Sequence, residues 1–287
     1  MEIMEEDTAS PGSATGANRR RVLGKAIGAM GEVLLTLGIV VGLFVVWELW
    51  WTDIIGTRHQ RDIVENLGWE IPAIPVLIGD DLATALDGLS AYPIIPFDQM
   101  EFESTPPVEE IPGNEESFAA IYVPRWGENY VRPISEGVGR RSVLDRLGIG
   151  HYPGTALPGG WGNFAVAGHR TTFGKPFDRI EELVIGDAIV VRTESAWYVY
   201  LVVEVHIVWP SFSAAIAPVP GDESAEADGR YITLTTCHPR LSARQRYVVY
   251  GILDYWAPAS AGYPPEIVPS RSQALEGAGG ISIGAVN

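Results

Sequence analysis

From Val33 to Trp51 the chain reads VLLTLGIVVGLFVVWELWW, 19 residues in which only Thr36 and Glu48 interrupt the apolar run. A backbone inside a bilayer must satisfy its polar groups internally, and about 20 apolar helical residues cover the hydrocarbon core. The run therefore predicts a transmembrane helix. It exceeds the apolar part of a cleaved signal peptide, about 7 to 15 residues, and Trp47, Trp50 and Trp51 form an aromatic belt at its end. Arg19, Arg20, Arg21 and Lys25 crowd the N-terminal side. Positive charge next to a span stays cytoplasmic, which predicts a single-pass plasma-membrane protein with its N-terminus inside and the rest of the chain outside. Glu32 and Glu48 read as boundary charges within reach of the interfaces.

Composition divides the chain into further segments. Residues 1–25 form the basic cytoplasmic N-terminus and 26–52 the anchor. Between Gly79 and Ser117 stand ten acidic residues, five prolines and no Lys or Arg; such a stretch repels itself and buries little. Residues 53–117 are accordingly expected to be an extended stalk, with room for a short helix around Gln60 to Leu67. Residues 258–287 mix Pro, Gly, Ala and Ser without periodicity and predict a disordered tail. Between them, 118–257 carries short apolar runs such as FAAIYV, NFAVAGH, WYVYLVVEVHIV, YITLTTC and RYVVYGILDYW, separated by turn-forming Gly, Pro and Asp. That alternation predicts an all-β fold, a small barrel with one or two short helices at SVLDRL and FDRIEEL. With 20 Lys+Arg against 36 Asp+Glu, the formal charge is 20 − 36 = −16. Nucleic-acid binders need a basic face, so none is expected as a partner.

The single cysteine, Cys237, excludes an intramolecular disulfide, and no Cys/His cluster offers a zinc site. In the run Tyr231 to Cys237, Ile232 and Leu234 share one strand face and Thr233, Thr235 and Cys237 the other. If the first pair faces the core, the thiol looks outward at the rim. The next strand begins near Arg246, after the loop His238 to Gln245, so Arg246 can stand beside Cys237 across a hairpin. A guanidinium there would favour a thiolate or hydrogen-bond an oxyanion. Arg244 has the same strand parity and remains a rival.

Among five histidines, His169 ends NFAVAGH at a strand end and is either the acid/base or a turn residue. His59 falls in the stalk, His206 reads as a satisfied strand histidine, His238 points away from Cys237, and His151 is assigned to a loop. The span Ser142 to Gly162 holds a single carboxylate, Asp145. The acidic residues Asp222, Glu223, Glu226 and Asp228 read as a solvated hairpin loop. No required metal and no cofactor are expected.

TLTTC followed nine residues later by Arg, with AGHRTTFGKPF upstream, resembles the sortase family of cysteine transpeptidases over roughly Phe118 to Trp256. GHYPGTALPG, NFAVAGHRTTFGKPF and TLTTCHP look most like class E. The resemblance implies a closed eight-stranded β-barrel with His169, Cys237 and Arg246 as catalytic residues. It also implies acyl transfer through a thioester: a sorting-signal peptide of the LAxTG kind is cleaved between Thr and Gly and joined to an amine of a peptidoglycan precursor or a pilin. Tyr122 in the first barrel strand is a candidate for the peptide-binding groove, its hydroxyl facing the amide that alanine has and proline lacks, or else an ordinary strand aromatic. Thr236, beside the nucleophile, is a second candidate. Neither anchor nor stalk supplies a proposed catalytic group, so a chain starting near Glu115 is expected to be active.

Two alternatives stand beside this reading. An L,D-transpeptidase is also β-rich and uses His before Cys, but shows an SxGC motif where this chain has Leu234-Thr235-Thr236 before Cys237. A non-catalytic, membrane-tethered binding module would keep Cys237 as a small buried residue.

Overall fold

The runs rich in β-branched and aromatic residues become strands, as side chains that pack well on a pleated surface should. A computed structural model describes residues 14–69, 93–107, 109–127 and 129–268. Helix α1 (Ala14–Glu65) is followed by β1 (Ser117–Tyr122), β2 (Val131–Glu136), β3 (Ile149–His151) and β4 (Gly162–Gly168). Then come β5 (Ala188–Arg192), β6 (Ala196–Val208), β7 (Arg230–His238) and β8 (Gln245–Pro258). The eight strands close into a barrel in the order β1-β2-β3-β4-β7-β8-β6-β5, the expected fold class. β2 with β3 and β4 with β7 pair in parallel; every other neighbouring pair is antiparallel. SVLDRL and FDRIEEL each contribute one short helical turn, Arg140–Leu144 and Ile180–Glu182.

The chain divides into two units, one ending at Trp51 and one starting at Thr52. In the first, α1 is long and apolar enough to cross a membrane, with a mean hydropathy of 2.3 over its best window. Leu34, Val41 and Phe44 lie exposed along it. The second unit opens with the last turns of α1, which run on to Glu65 in place of a separate short helix.

The barrel interior is filled from all sides by Ile121, Ile134, Ile149, Phe164, Val191, Tyr198, Ile232, Leu234 and Val249. A second apolar cluster lies on the outer face of β1, β5, β6 and β8, where Tyr122, Val190, Trp197, Val199 and Tyr255 pack with Ile95 and Ile267. Residues 93–101 of the segment expected to be an extended stalk supply part of that cover. Ile95 N–H donates to Tyr263 O at 2.9 Å, and Glu101 and Trp256 exchange backbone hydrogen bonds at 2.8 and 3.1 Å. Glu109 accepts from Thr193 Oγ1 at 2.5 Å and from the Tyr198 hydroxyl at 3.0 Å. Composition hides this ordering because a few apolar anchors and backbone bridges achieve it, against a background of repelling carboxylates. The chain after β8 likewise folds back as far as Val268. Residues 1–13 of the basic start, 70–92 of the stalk and 269–287 of the tail lie outside the described residues.

Candidate active site

Three adjacent strands, β4, β7 and β8, end at the same rim, and register decides what they present there. β4 and β7 pair in parallel with Ala167 opposite Thr235. Two residues further on, His169 and Cys237 are therefore level and emerge on the same side. Across the antiparallel hairpin, Cys237 is the direct partner of Arg246. The expected register holds, and Arg244 falls before β8, in the connecting loop. Ile232 and Leu234 do face the core, which leaves the Cys237 thiol free and half-exposed at the rim. That placement does not fit an inert core cysteine.

His169, Cys237 and Arg246 line one cleft of about 610 Å³, together with Tyr152, Thr236 and Leu241. The His169 imidazole Nε2 lies 2.6 Å from Asp145 Oδ1, and its ring packs on Phe173 at 5.2 Å. Arg246 donates through Nη1 to the backbone carbonyls of Ala243, at 3.0 Å, and Gln245, at 2.9 Å. Its charge is thus held at the cleft by neutral acceptors. Thr236 is in the cleft wall, but its hydroxyl donates to Gly168 O at 2.7 Å and is buried. It ties β7 to β4 just below Cys237 and His169.

Tyr122 requires correction. It does not line the cleft: it follows Ile121 in β1, and the period of two turns it away from the interior into the outer cluster. There it is 2% exposed, 5.6 Å from the Trp197 ring. Burial pushes its phenol well above the ordinary range, and nearby Arg192 offsets this only in part. His151 is corrected too, for it closes β3 and is buried. Its Nδ1 lies 2.5 Å from Glu136 Oε2 and its Nε2 2.9 Å from Thr155 Oγ1.

Two further residues at the site carry no clear signal in the sequence. Asp145 stands there only as the single carboxylate between Ser142 and Gly162, and no short motif joins it to a histidine 24 positions later. Arg170 follows His169 directly and is 2% exposed. Its Nη1 donates to His238 Nδ1 at 2.9 Å, its Nη2 pairs with Glu181, and its guanidinium lies 5.6 Å from the Tyr247 ring centroid. Arg170 thereby braces the end of β7, at the residue after Cys237, from the end of β4. A buried cation beside a strand end is a signal that needs partners in view, and here they come from three separate segments.

A half-exposed thiol, a carboxylate-oriented imidazole and a guanidinium at one barrel rim define a cysteine enzyme suited to acyl transfer. Residues 121–254 match the sortase domain model. The chain is 31% identical over 253 residues to sortase SrtE2 of Streptomyces coelicolor, covering 83% of this chain and 87% of that protein. Sortase SrtE1 of the same organism is 33% identical over 264 residues, 90% of this chain but 63% of SrtE1's own length. Among solved structures, the SrtA sortase from Actinomyces oris superposes with a TM-score of 0.55 at 39% identity, covering 60% of this chain and 98% of that one. Sortase E1 from Streptomyces coelicolor, solved with a tripeptide in its active site, gives 0.50 at 38% identity, over 54% and 98%. The chain belongs to the sortase family and is class E-like.

Proposed function

We propose that this protein is a membrane-anchored transpeptidase whose nucleophile is Cys237, whose acid/base is His169 and whose oxyanion donor is Arg246. The observation that carries the reading is the convergence of these three side chains on one cleft from three neighbouring strand ends. The Cys237 thiolate attacks the threonine carbonyl carbon of a sorting peptide. The C–N bond to glycine breaks as His169 delivers a proton to the departing amine, and a thioester forms. An amine of a peptidoglycan precursor or a pilin then attacks that carbonyl. The C–S bond breaks, the thiolate returns, and His169 takes the proton from the attacking nitrogen. With Nε2–H donated to Asp145, the basic lone pair resides on Nδ1, so the carboxylate selects the tautomer as well as the ring angle. Arg246 stabilises the negative charge that develops on the carbonyl oxygen in both tetrahedral intermediates.

Class E likeness supports an LAxTG motif, and the tripeptide in sortase E1 supports a peptide ligand at this cleft. The apolar helix supports anchoring in the plasma membrane with the barrel outside. The test supplies full-length protein in detergent with Leu-Ala-x-Thr-Gly or Leu-Pro-x-Thr-Gly peptides and an amine acceptor. The expected result is a mass increment on Cys237 equal to the acyl fragment, followed by the amide product, with the alanine peptide preferred. Product formation by Cys237→Ala would overturn the mechanism; preference for the proline peptide would overturn the motif alone.

A further inference from the structure

The last turns of α1 lie outside the catalytic barrel in sequence, yet three positions on one helical stripe, 53, 56 and 60, meet the loop after His169. Asp53 Oδ2 is 3.0 Å from Lys175 Nζ. Gly56 allows a backbone approach that any other residue would block, since a Cβ there would lie 2.5 Å from Phe173 C and 2.6 Å from Gly174 N. Gln60 is completely buried, and its Nε2 donates to Phe173 O at 2.9 Å. A long amide loses considerable rotamer freedom in such a place, so its burial calls for a role.

Gln60 is wedged between two glycines. A Cβ on Gly148 would fall 2.7 Å from its Cδ, and one on Gly174 2.8 Å from its Nε2. Gly148 ends the turn that carries Asp145, while Gly174 belongs to the loop that carries Phe173, whose ring packs on His169. Phe173 itself has φ of +54°, a left-handed conformation that a bulky residue keeps only when its surroundings hold it there. The Gln60 amide supplies that hold at the Phe173 carbonyl. One helical side chain thus touches both segments that set the His169–Asp145 pair.

We infer that Gln60, admitted by Gly56, is a positioning residue for the His169–Asp145 pair, an inference that rests on the acid/base role proposed for His169. The consequence is that the barrel without the end of α1 is an impaired enzyme, contrary to the expectation that a chain starting near Glu115 suffices. Gln60→Met keeps the length and removes the donor. Arg58→Ala, exposed on the same helix, is the control.

In full-length protein, peptide-to-amine transfer and iodoacetamide labelling of Cys237 are measured from pH 5 to 9, with thermal melting to verify the fold. Gln60→Met should lower kcat about tenfold, the scale of one lost buried hydrogen bond, with KM changed less than about twofold. Its alkylation profile should move toward that of His169→Ala. Gly56→Ala should act in the same direction, and Arg58→Ala should match wild type in both assays. A folded Gln60→Met protein with wild-type kcat and alkylation profile would overturn the inference. A wild-type protein that transfers no peptide would instead overturn the proposed function, and the alkylation comparison still reports whether Gln60 reaches His169.

Discussion

Two faces of the same barrel carry polar aromatic and cationic side chains, and they behave oppositely. At the rim of β4, β7 and β8, Cys237 is half-exposed and Arg246 donates to backbone carbonyls. On the outer face of β1, β5 and β6, Tyr122, Arg192 and Trp197 are just as rich in chemistry, with Arg192 5.1 Å from the Trp197 ring centroid. There, however, residues 93–101 and 263–267 fold over the strands and seal them. A hydroxyl or guanidinium on a strand is therefore a site candidate only where no other segment covers that face. Strand parity says which face a residue occupies; it does not say whether water or substrate can reach it.

The contrast between the faces breaks most sharply at the nucleophile. Cys237→Ala should abolish transfer while leaving the melting temperature close to wild type, because the thiol fills no core space; a folded mutant that still forms acyl product removes the rim from the mechanism. His169→Ala should lose on the order of 10²- to 10⁴-fold in kcat, the range of one general acid/base.

Next in size is the hairpin register. Arg246→Ala should cost about 10²- to 10³-fold in kcat, as for one oxyanion donor, and Arg244→Ala little. Equal losses in steady-state assays would show that the pairing of Cys237 with Arg246 is not what positions the cation.

Asp145→Asn keeps the shape and removes the charge. Hydrogen bonds to charged groups are worth about 1.5–3 kcal/mol, so kcat should fall roughly 10- to 100-fold. Because Asp145 orients the imidazole rather than the peptide, KM measured in the same assay should change little. A wild-type kcat would reduce Asp145 to a surface contact.

The smallest effect belongs to the covered face. Tyr122→Phe should leave the ratio of alanine-peptide to proline-peptide turnover unchanged, because its hydroxyl points into the outer cluster. Any change in that ratio would mean that the two faces communicate.

The barrel and the Cys237–Arg246 pairing are legible in the chain, since period-two alternation and hairpin geometry are local rules; that residues 93–101 and 263–267 pack on the barrel is not. His169 can be named from sequence, but its place level with Cys237 is visible only in the parallel pairing of β4 with β7. Asp145, Arg170 and Gln60 are not legible as site residues. Each acts through a partner far away in sequence, and no composition or spacing rule connects helix residue 60 to carbonyl 173.

The amino-acid order alone dictates the apolar helix, the strand periods, which residues share a face and that a single thiol stands at a strand end, because these arise from backbone geometry over a few residues. Which faces are sealed is another matter: it depends on where an acidic segment and the end of a helix come to lie against the barrel. Those contacts are non-local and individually weak, and they join residues that no local rule of backbone geometry brings together.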